Sequence, residues 1–500
     1  MFLKNVHAFA QISYYYGRRD LLKANREFGL NKYTKTEICG LPTAEELRAK
    51  LDESNNSDAR AKLALLFDEG TFVETGVYTK RALSDFIATE KSNELEGVIT
   101  GYGAVDGKLV FAFAEDSSRM DGAIDERHAK KITDIYKMAI SNGAPVVGIF
   151  DSNGTDVFEG TVGLSAYGKI IAAVSEASGV IPQIALVSGK CIGTAAAIAA
   201  MFDFTVKVDT ASLYIYGAKG DDSLVTFTAD AMQCVGYIKS LISHLPSNSS
   251  VGIQVGECAD NLNRALGDVD FVDDALVAIS SVADNSIYIE VWGGYAPSVS
   301  TVFATVAGVR CGVVASSFSK NEGRIDADAA KKVAKFVNFC NSFSVPVVTL
   351  VDSLGLATDN SSVDFSTSLA KLAFAYASAT VPKVTVLQDH AIGASFVLLG
   401  SKSLGADVVY AIDKSEIGAL CAESGVAFAW DKYITEENTR EQLISEWKTS
   451  VSSPVYAAAS GEIDDIISIN ELRARICSAL LMLSAKGNSS SVARRKVLPL

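Results

Sequence analysis

Apolar residues recur at helical spacing in two places, and the two places read as one pattern written twice. Ile132, Ile135, Tyr136, Ala139 and Ile140 follow i, i+3, i+4, i+7, i+8, the stripe of a helix with one buried face. Val333, Phe336, Val337 and Cys340 make the same stripe further along. Each helix runs into a loop, then into Pro-Val-Val, which opens an apolar run ending in Asp-Ser (145–152 and 346–353). Proline at a strand's first position costs no central ladder bond, and a run without polar alternation predicts a strand buried on both sheet faces. A second helix is expected over 160–178 and 362–379, then another buried strand over 182–188 and 382–387, then a small-residue turn into a third helix. Strand and helix alternating through short connections predict an α/β fold with largely parallel pairing.

The two copies hold a common register. Ile124, Asp125, Ala129, Lys130, Lys131, Pro145, Val146, Val147, Asp151, Ser152 and Gly154 all recur 201 positions later. Gly107 pairs with Gly308, and the stretches Pro182–Gly193 and Pro382–Gly393 follow with the offset drifted by one residue. Chance matches do not keep register across several elements, so the chain is a duplication. The expected layout is a leading helical segment over 1–58, with Thr43 capping a helix in TAEELRAKLDE, one domain over 60–245 and a second over 275–485. HLPSNSSVGIQVGECADN between them reads as a linker, and the last fifteen residues as a frayed basic tail.

Composition narrows the function. With 500 residues, 48% hydrophobic and 21% charged, the chain buries large cores. A net charge of −14 argues against a whole-surface grip on nucleic acid or anionic lipid. Eight cysteines are scattered without a C-x-x-C pair, which suits a reducing, cytoplasmic compartment. His7, His128, His244 and His390 lack i, i+4 spacing, so no histidine-based metal site is expected. No signal peptide is read at the N-terminus, and the longest small-apolar run, Ile192 to Phe204, is too short to span a bilayer.

Ligands of such sheets bind beyond the carboxyl ends of the strands. Four turns lie there: DSNGTD (151–156), GKCIGTAA (189–196), DSLGLA (352–357) and HAIGASF (390–396). Gly193 and Gly393 each follow a buried strand and precede an apolar helix, where glycine lets backbone approach a ligand and the first N–H groups point outward. One N–H from each turn of a copy suits a developing enolate oxygen. Each glycine alone also fits a plain tight turn; the recurrence of the paired turns favours the chemical reading. No P-loop, G-x-G-x-x-G after a strand or G-x-S-x-G elbow competes. Asp151 and Asp352 read as loop anchors, and His128 as a structural histidine.

These same residues carry a resemblance. ELEGVITGYGAVDGKLVFAFAED, HAKKI, GAPVVGIFDSNG, YGKI and ASGVIPQIALVSGKCIGTAA, then AAKKVAKFVNFCNSFSVPVVTLVDSLG and ASATVPKVTVLQDHAIGASFVLLGSKSLGADVVYAI, resemble the β-type acyl-CoA carboxyltransferases over roughly residues 60–480. That family includes propionyl-CoA carboxylase β chains and the α chains of methylmalonyl-CoA and glutaconyl-CoA decarboxylases. The resemblance implies two tandem crotonase-like (ClpP/crotonase) domains. It implies transfer of a carboxyl group between carboxybiotin on a separate carrier protein and an acyl-CoA enolate. By position, Gly154, Thr155, Gly193 and Thr194 would line the acyl-CoA oxyanion hole, and Gly393 and Ala394, with Gly355, the biotin side. The implied partners are a biotin carrier protein and a biotin carboxylase or membrane decarboxylase subunit, around a homodimer or dimer-based hexamer. The family usually shows a double glycine where this chain has Gly154-Thr155, Gly193-Thr194 and Gly393-Ala394, and the threonines are expected to narrow the thioester pocket. Two other readings stay open: a crotonase-type hydratase or isomerase, for which Glu159 is the nearest acid, and a degenerate paralogue that scaffolds a carboxylase or decarboxylase complex.

Overall fold

The computed structural model describes residues 43, 45, 46, 48, 56–80, 95–155, 160–215, 225–264, 274–357 and 364–486. The chain divides into two units, residues 1–56 and 57–500. In the first, the Thr43 N–H donates to Glu46 Oε2 at 2.8 Å and the Glu46 N–H to the Thr43 hydroxyl at 3.3 Å, a reciprocal helix cap. The basic tail beyond residue 486 lies outside the described residues.

The second unit holds, among the described residues, two sheets of eight strands each. The first contains β1 (Val73–Thr75), β2 (Val98–Val105), β3 (Lys108–Glu115), β4 (Val146–Ser152), β5 (Gln183–Ile192), β6 (Phe204–Val208), β7 (Ser212–Tyr214) and β8 (Phe227–Ala229). Its order is β1-β2-β3-β4-β5-β6-β8, with β7 beside the far end of β5. The second contains β9 (Tyr288–Val291), β10 (Val299–Val306), β11 (Val309–Ser316), β12 (Val347–Ser353), β13 (Lys383–Ile392), β14 (Val408–Ile412), β15 (Glu416–Gly418) and β16 (Asp465–Ile467). It runs β9-β10-β11-β12-β13-β14-β16, with β15 on β13, so the strand order of the first sheet is repeated. In each sheet the first three strands pair antiparallel and the rest parallel. The tandem α/β duplication is therefore physical as well as textual.

The repeat extends to irregularities. The β4/β5 register slips so that Ser152 faces Cys191, and the β12/β13 register slips so that Ser353 faces Ala391. Asp121 and Glu322 share a left-handed backbone at φ 55° and 54°. Helices Glu126–Asn142 and Ala327–Ser342 start on equivalent caps, with Asp125 accepting the His128 N–H at 2.8 Å and Asp326 the Ala329 N–H at 2.7 Å. Their apolar stripes are buried as expected, except that Ile140 at the end of the first is half-buried. Each stripe also carries a buried lysine: Lys131 Nζ donates to the Val98 carbonyl at 2.6 Å, and Lys332 Nζ to the Val299 carbonyl at 2.7 Å. Burial lowers both amines to about 8.

Three features depart from the pattern. β5 and β13 run past the apolar stretch, because the polar residues at their ends pair with β7 and β15, Lys190 opposite Ser212 and His390 opposite Glu416. The segment expected as a linker is strapped to both halves. Asn248 Nδ2 donates to the Gly143 carbonyl at 2.8 Å, and the Gly256 N–H to the Gly308 carbonyl at 2.8 Å. Finally, one hydrophobic core runs through both halves. Phe204 of β6 packs on Phe339, Trp292 and Phe303 of the second half, ring centroids 4.9, 5.6 and 5.8 Å apart. No helix among the described residues is long and apolar enough to cross a membrane.

Candidate active site

The strand ends that carry the slipped registers also carry the four turns. In the first half Gly154 has φ 113° and Gly193 has φ 65°, ψ −126°, conformations that side chains resist. The Gly154 N–H is taken by the Ser152 hydroxyl at 3.0 Å and the Gly193 N–H by the Tyr214 carbonyl at 3.0 Å. The glycines therefore turn the chain, and the available donors are the next residues. The Thr155 N–H donates to no described residue. Thr194 opens helix Thr194–Ala200, whose first N–H groups have no acceptor in the helix.

The second half repeats this arrangement. The Gly355 N–H goes to the Ser353 hydroxyl at 3.2 Å and the Gly393 N–H to the Gly418 carbonyl at 2.8 Å. Leu356 and Ala394 follow them in the places of Thr155 and Thr194. The two turns touch: a Cβ on Gly355 would lie 3.3 Å from the Ile392 carbonyl, and the Ser395 hydroxyl sits 2.8 Å from Ile392 O and 3.2 Å from Ser353 O. Gly393 also walls an apolar cavity of about 720 Å³, with Phe396, Ile417, Gly418, Phe428 and Trp447 around it. Among the threonines, the Thr155 hydroxyl is turned into the backbone and donates to the Ile124 carbonyl at 3.2 Å. Thr194 is exposed.

Carboxylates hold these turns from behind. Asp151 Oδ1 accepts the Lys190 N–H at 3.0 Å, and Oδ2 the Ser117 hydroxyl at 2.6 Å. The Asp151 N–H in turn donates to Glu115 Oε2 at 2.9 Å. Glu115 is fully buried, and burial, opposed by His128, lifts its carboxyl to about 7. His128 is buried too, 3.5 Å from Glu96 and 4.0 Å from Glu115, with no hydrogen-bond partner on either ring nitrogen. In the second half Asp352 Oδ1 accepts both the N–H and the Nδ1 of His390, whose ring stacks on Phe318 at 4.8 Å. Asp352, Asp389 and His390 place possible metal-ligating atoms within 4.8 Å of one another, but their geometry is that of an aspartate–histidine dyad.

Sequence reasoning located the turns and missed what stands behind them: the Glu115 carboxyl, the His390 ring, the apolar cavity and Tyr167, which faces Gly154. Only Tyr167 had a signal, as a bulky residue on the buried stripe of helix Thr161–Ala177. Glu159 and residues 216–224 lie outside the described residues.

The family model of the carboxyl transferase domain matches residues 53–231 and 224–498. The chain is 34% identical over 490 residues to the methylmalonyl-CoA decarboxylase subunit alpha of Propionigenium modestum, covering 90% of this chain and 95% of that one. It is 32% identical over 513 residues to the propionyl-CoA carboxylase beta chain of Saccharopolyspora erythraea, covering 91% and 93%. A crystal structure of transcarboxylase 12S, a hexamer with methylmalonyl-coenzyme A and methylmalonic acid bound, matches with a TM-score of 0.82 at 30% identity. That match covers 92% of this chain and 99% of the other.

Proposed function

Since the chain belongs to the carboxyl transferase domain family, we propose that it moves a carboxyl group between biotin on a separate carrier protein and the α-carbon of an acyl-CoA. One observation carries this reading: each sheet offers a matched pair of turns whose backbone donors stand in for side-chain catalysts. Two sites of one design suit two ligands that each develop an oxyanion.

The first half, residues 60–245, takes the acyl-CoA. As the α-proton leaves, charge develops on the thioester oxygen, and the N–H groups after Gly154 and Gly193, those of Thr155 and Thr194, face it. One such donor typically lowers the barrier by roughly 3–4 kcal/mol. The second half, residues 275–485, takes biotin, which when bound supplies a labile carboxyl group and a base for the α-proton. The apolar cavity beside Gly393 fits a fused bicyclic ring. Gly355, Gly393 and Ala394 would hold the ring, with the Leu356 and Ala394 N–H groups against its ureido oxygen. The biotin carrier, a biotin carboxylase or membrane decarboxylase subunit, a homodimer or dimer-based hexamer, and a cytoplasmic location complete the proposal. It is supported by the hexamer of transcarboxylase 12S and by the acidic chain with scattered thiols.

The test is to incubate the purified chain with free biotin and malonyl-CoA or methylmalonyl-CoA and follow loss of the carboxylate. Biotin-dependent decarboxylation is expected. A folded protein that turns over no acyl-CoA overturns the reading in favour of a scaffold.

A further inference from the structure

The two halves match at their turns but not behind them. Tyr167, on helix Thr161–Ala177, looks onto the first-half turn: a Cβ placed on Gly154 would lie 3.7 Å from the phenol oxygen. The residue is 5% exposed, and its hydroxyl, which solvent still reaches, hydrogen-bonds to no described residue. The position 201 residues on is Ser368, whose hydroxyl is taken by the Asp364 carbonyl of its own helix at 2.9 Å. The equivalent helix position of the second half thus carries no phenol. Burial, with Glu115 and Cys191 nearby, holds the Tyr167 pKa above its usual value, so the group keeps its proton at any physiological pH.

A donor left to solvent beside a turn whose neighbouring N–H groups are also unused suits an acceptor that arrives with the ligand. We propose that the Tyr167 hydroxyl is a third hydrogen-bond donor to the thioester oxygen in the first half, strongest when that oxygen carries the enolate charge. The proposal rests on the reading that this half binds an acyl-CoA. It also accounts for the asymmetry, since only the acyl side must stabilise a carbanion's conjugate oxygen. The Glu115 carboxyl behind the turn is tied to the Asp151 N–H at 2.9 Å and is therefore not the group that reaches the ligand.

The experiment compares wild type with Tyr167→Phe by calorimetric binding of two ligands. One is a thioether of coenzyme A without a carbonyl oxygen, the other a nitronate analogue of the acyl-CoA enolate. The variant should bind the thioether as wild type does and the nitronate on the order of 100-fold more weakly, the loss typical of one oxyanion donor. Its kcat should fall while KM for the acyl-CoA stays, and it should melt no lower than wild type, since the hydroxyl has no partner within the protein. Equal nitronate affinity in both proteins overturns the role of Tyr167 and leaves the acyl-CoA reading standing. Loss of thioether binding, or a lower melting temperature, marks the hydroxyl as structural and also overturns it. A wild type that binds neither coenzyme A ligand overturns the acyl-CoA reading itself.

Discussion

Asp352 Oδ1 lies 3.0 Å from His390 Nδ1 and accepts the same residue's N–H at 3.1 Å, whereas Asp151 in the first half holds the Lys190 backbone and the Ser117 hydroxyl. Burial alone would favour the neutral imidazole. The hydrogen bond to Asp352 and the charges of Asp389 and Glu416 outweigh it, so the His390 pKa is raised above 6.5. A histidine raised in the folded state stabilises fully below its unfolded pKa, and that contribution is lost as pH rises through the folded value. His390→Gln and Asp352→Asn should each flatten the fall in stability above about pH 6.5. Urea melts of the three proteins across that range are the check; parallel curves would show that the pair contributes nothing in solution.

Glu115 titrates in the opposite sense to a surface carboxylate. Its folded value of about 7 against an ordinary 4.5 means that the native state holds a proton the unfolded chain has released. Stability should therefore fall as pH rises from about 4.5 to 7 and level off above, by about 3 kcal/mol in all. Glu115→Gln keeps an acceptor for the Asp151 N–H, 2.9 Å away, and removes the titration. The variant should be more stable than wild type at pH 8 and equal to it near pH 4. A wild-type curve as steep in the variant would place the titrating group elsewhere.

The duplication was legible because it is written in residues whose roles are local. Asp125 and Asp326 cap, Lys131 and Lys332 reach carbonyls across the same helix–strand step, and Gly154 and Gly355 turn left-handed. The paired turns were legible because glycine marks each bend; that the glycine's own N–H is taken within the chain was not, since it depends on the Ser152 hydroxyl and the Tyr214 carbonyl. Packing between the sheets left no periodic trace. Phe204 sits in a short strand whose pattern predicts burial but not the neighbour, and Tyr167 reads as one more apolar position of a helix stripe. Glu115 ends a strand that opens on Lys108 and is apolar between, a position that suggests a solvated end until the turn of Asp151 closes over it.

Phe204 tests whether the two halves fold as one. It is fully buried and meets Trp292, Phe303 and Phe339, so truncation opens a cavity between the sheets. Phe204→Ala should cost about 3–5 kcal/mol. Wild type should unfold in one calorimetric transition and the variant earlier, with the transition broadened or split. A variant that melts like wild type would mean that the halves are independent domains.

Gly393 separates the two proposed ligand sites. At φ 60°, ψ −130° its backbone lies where residues with a Cβ are strained by about 1–3 kcal/mol, and an added Cβ would stand 3.4 Å from the Ala419 carbonyl. Valine adds branches that project into the 720 Å³ cavity Gly393 walls. Gly393→Val should lose biotin-dependent turnover while still binding coenzyme A, measured by calorimetry on protein whose circular dichroism matches wild type. Gly193 has the same backbone, φ 65°, ψ −126°, but open space around its missing Cβ, so Gly193→Val should fold as well and lose coenzyme A affinity instead. The pair of variants discriminates because their backbone strain is the same and only the half differs. If the Gly393 variant lost coenzyme A binding and the Gly193 variant kept it, the acyl-CoA and biotin sides would have to be exchanged, while the paired-turn chemistry of each half would stand.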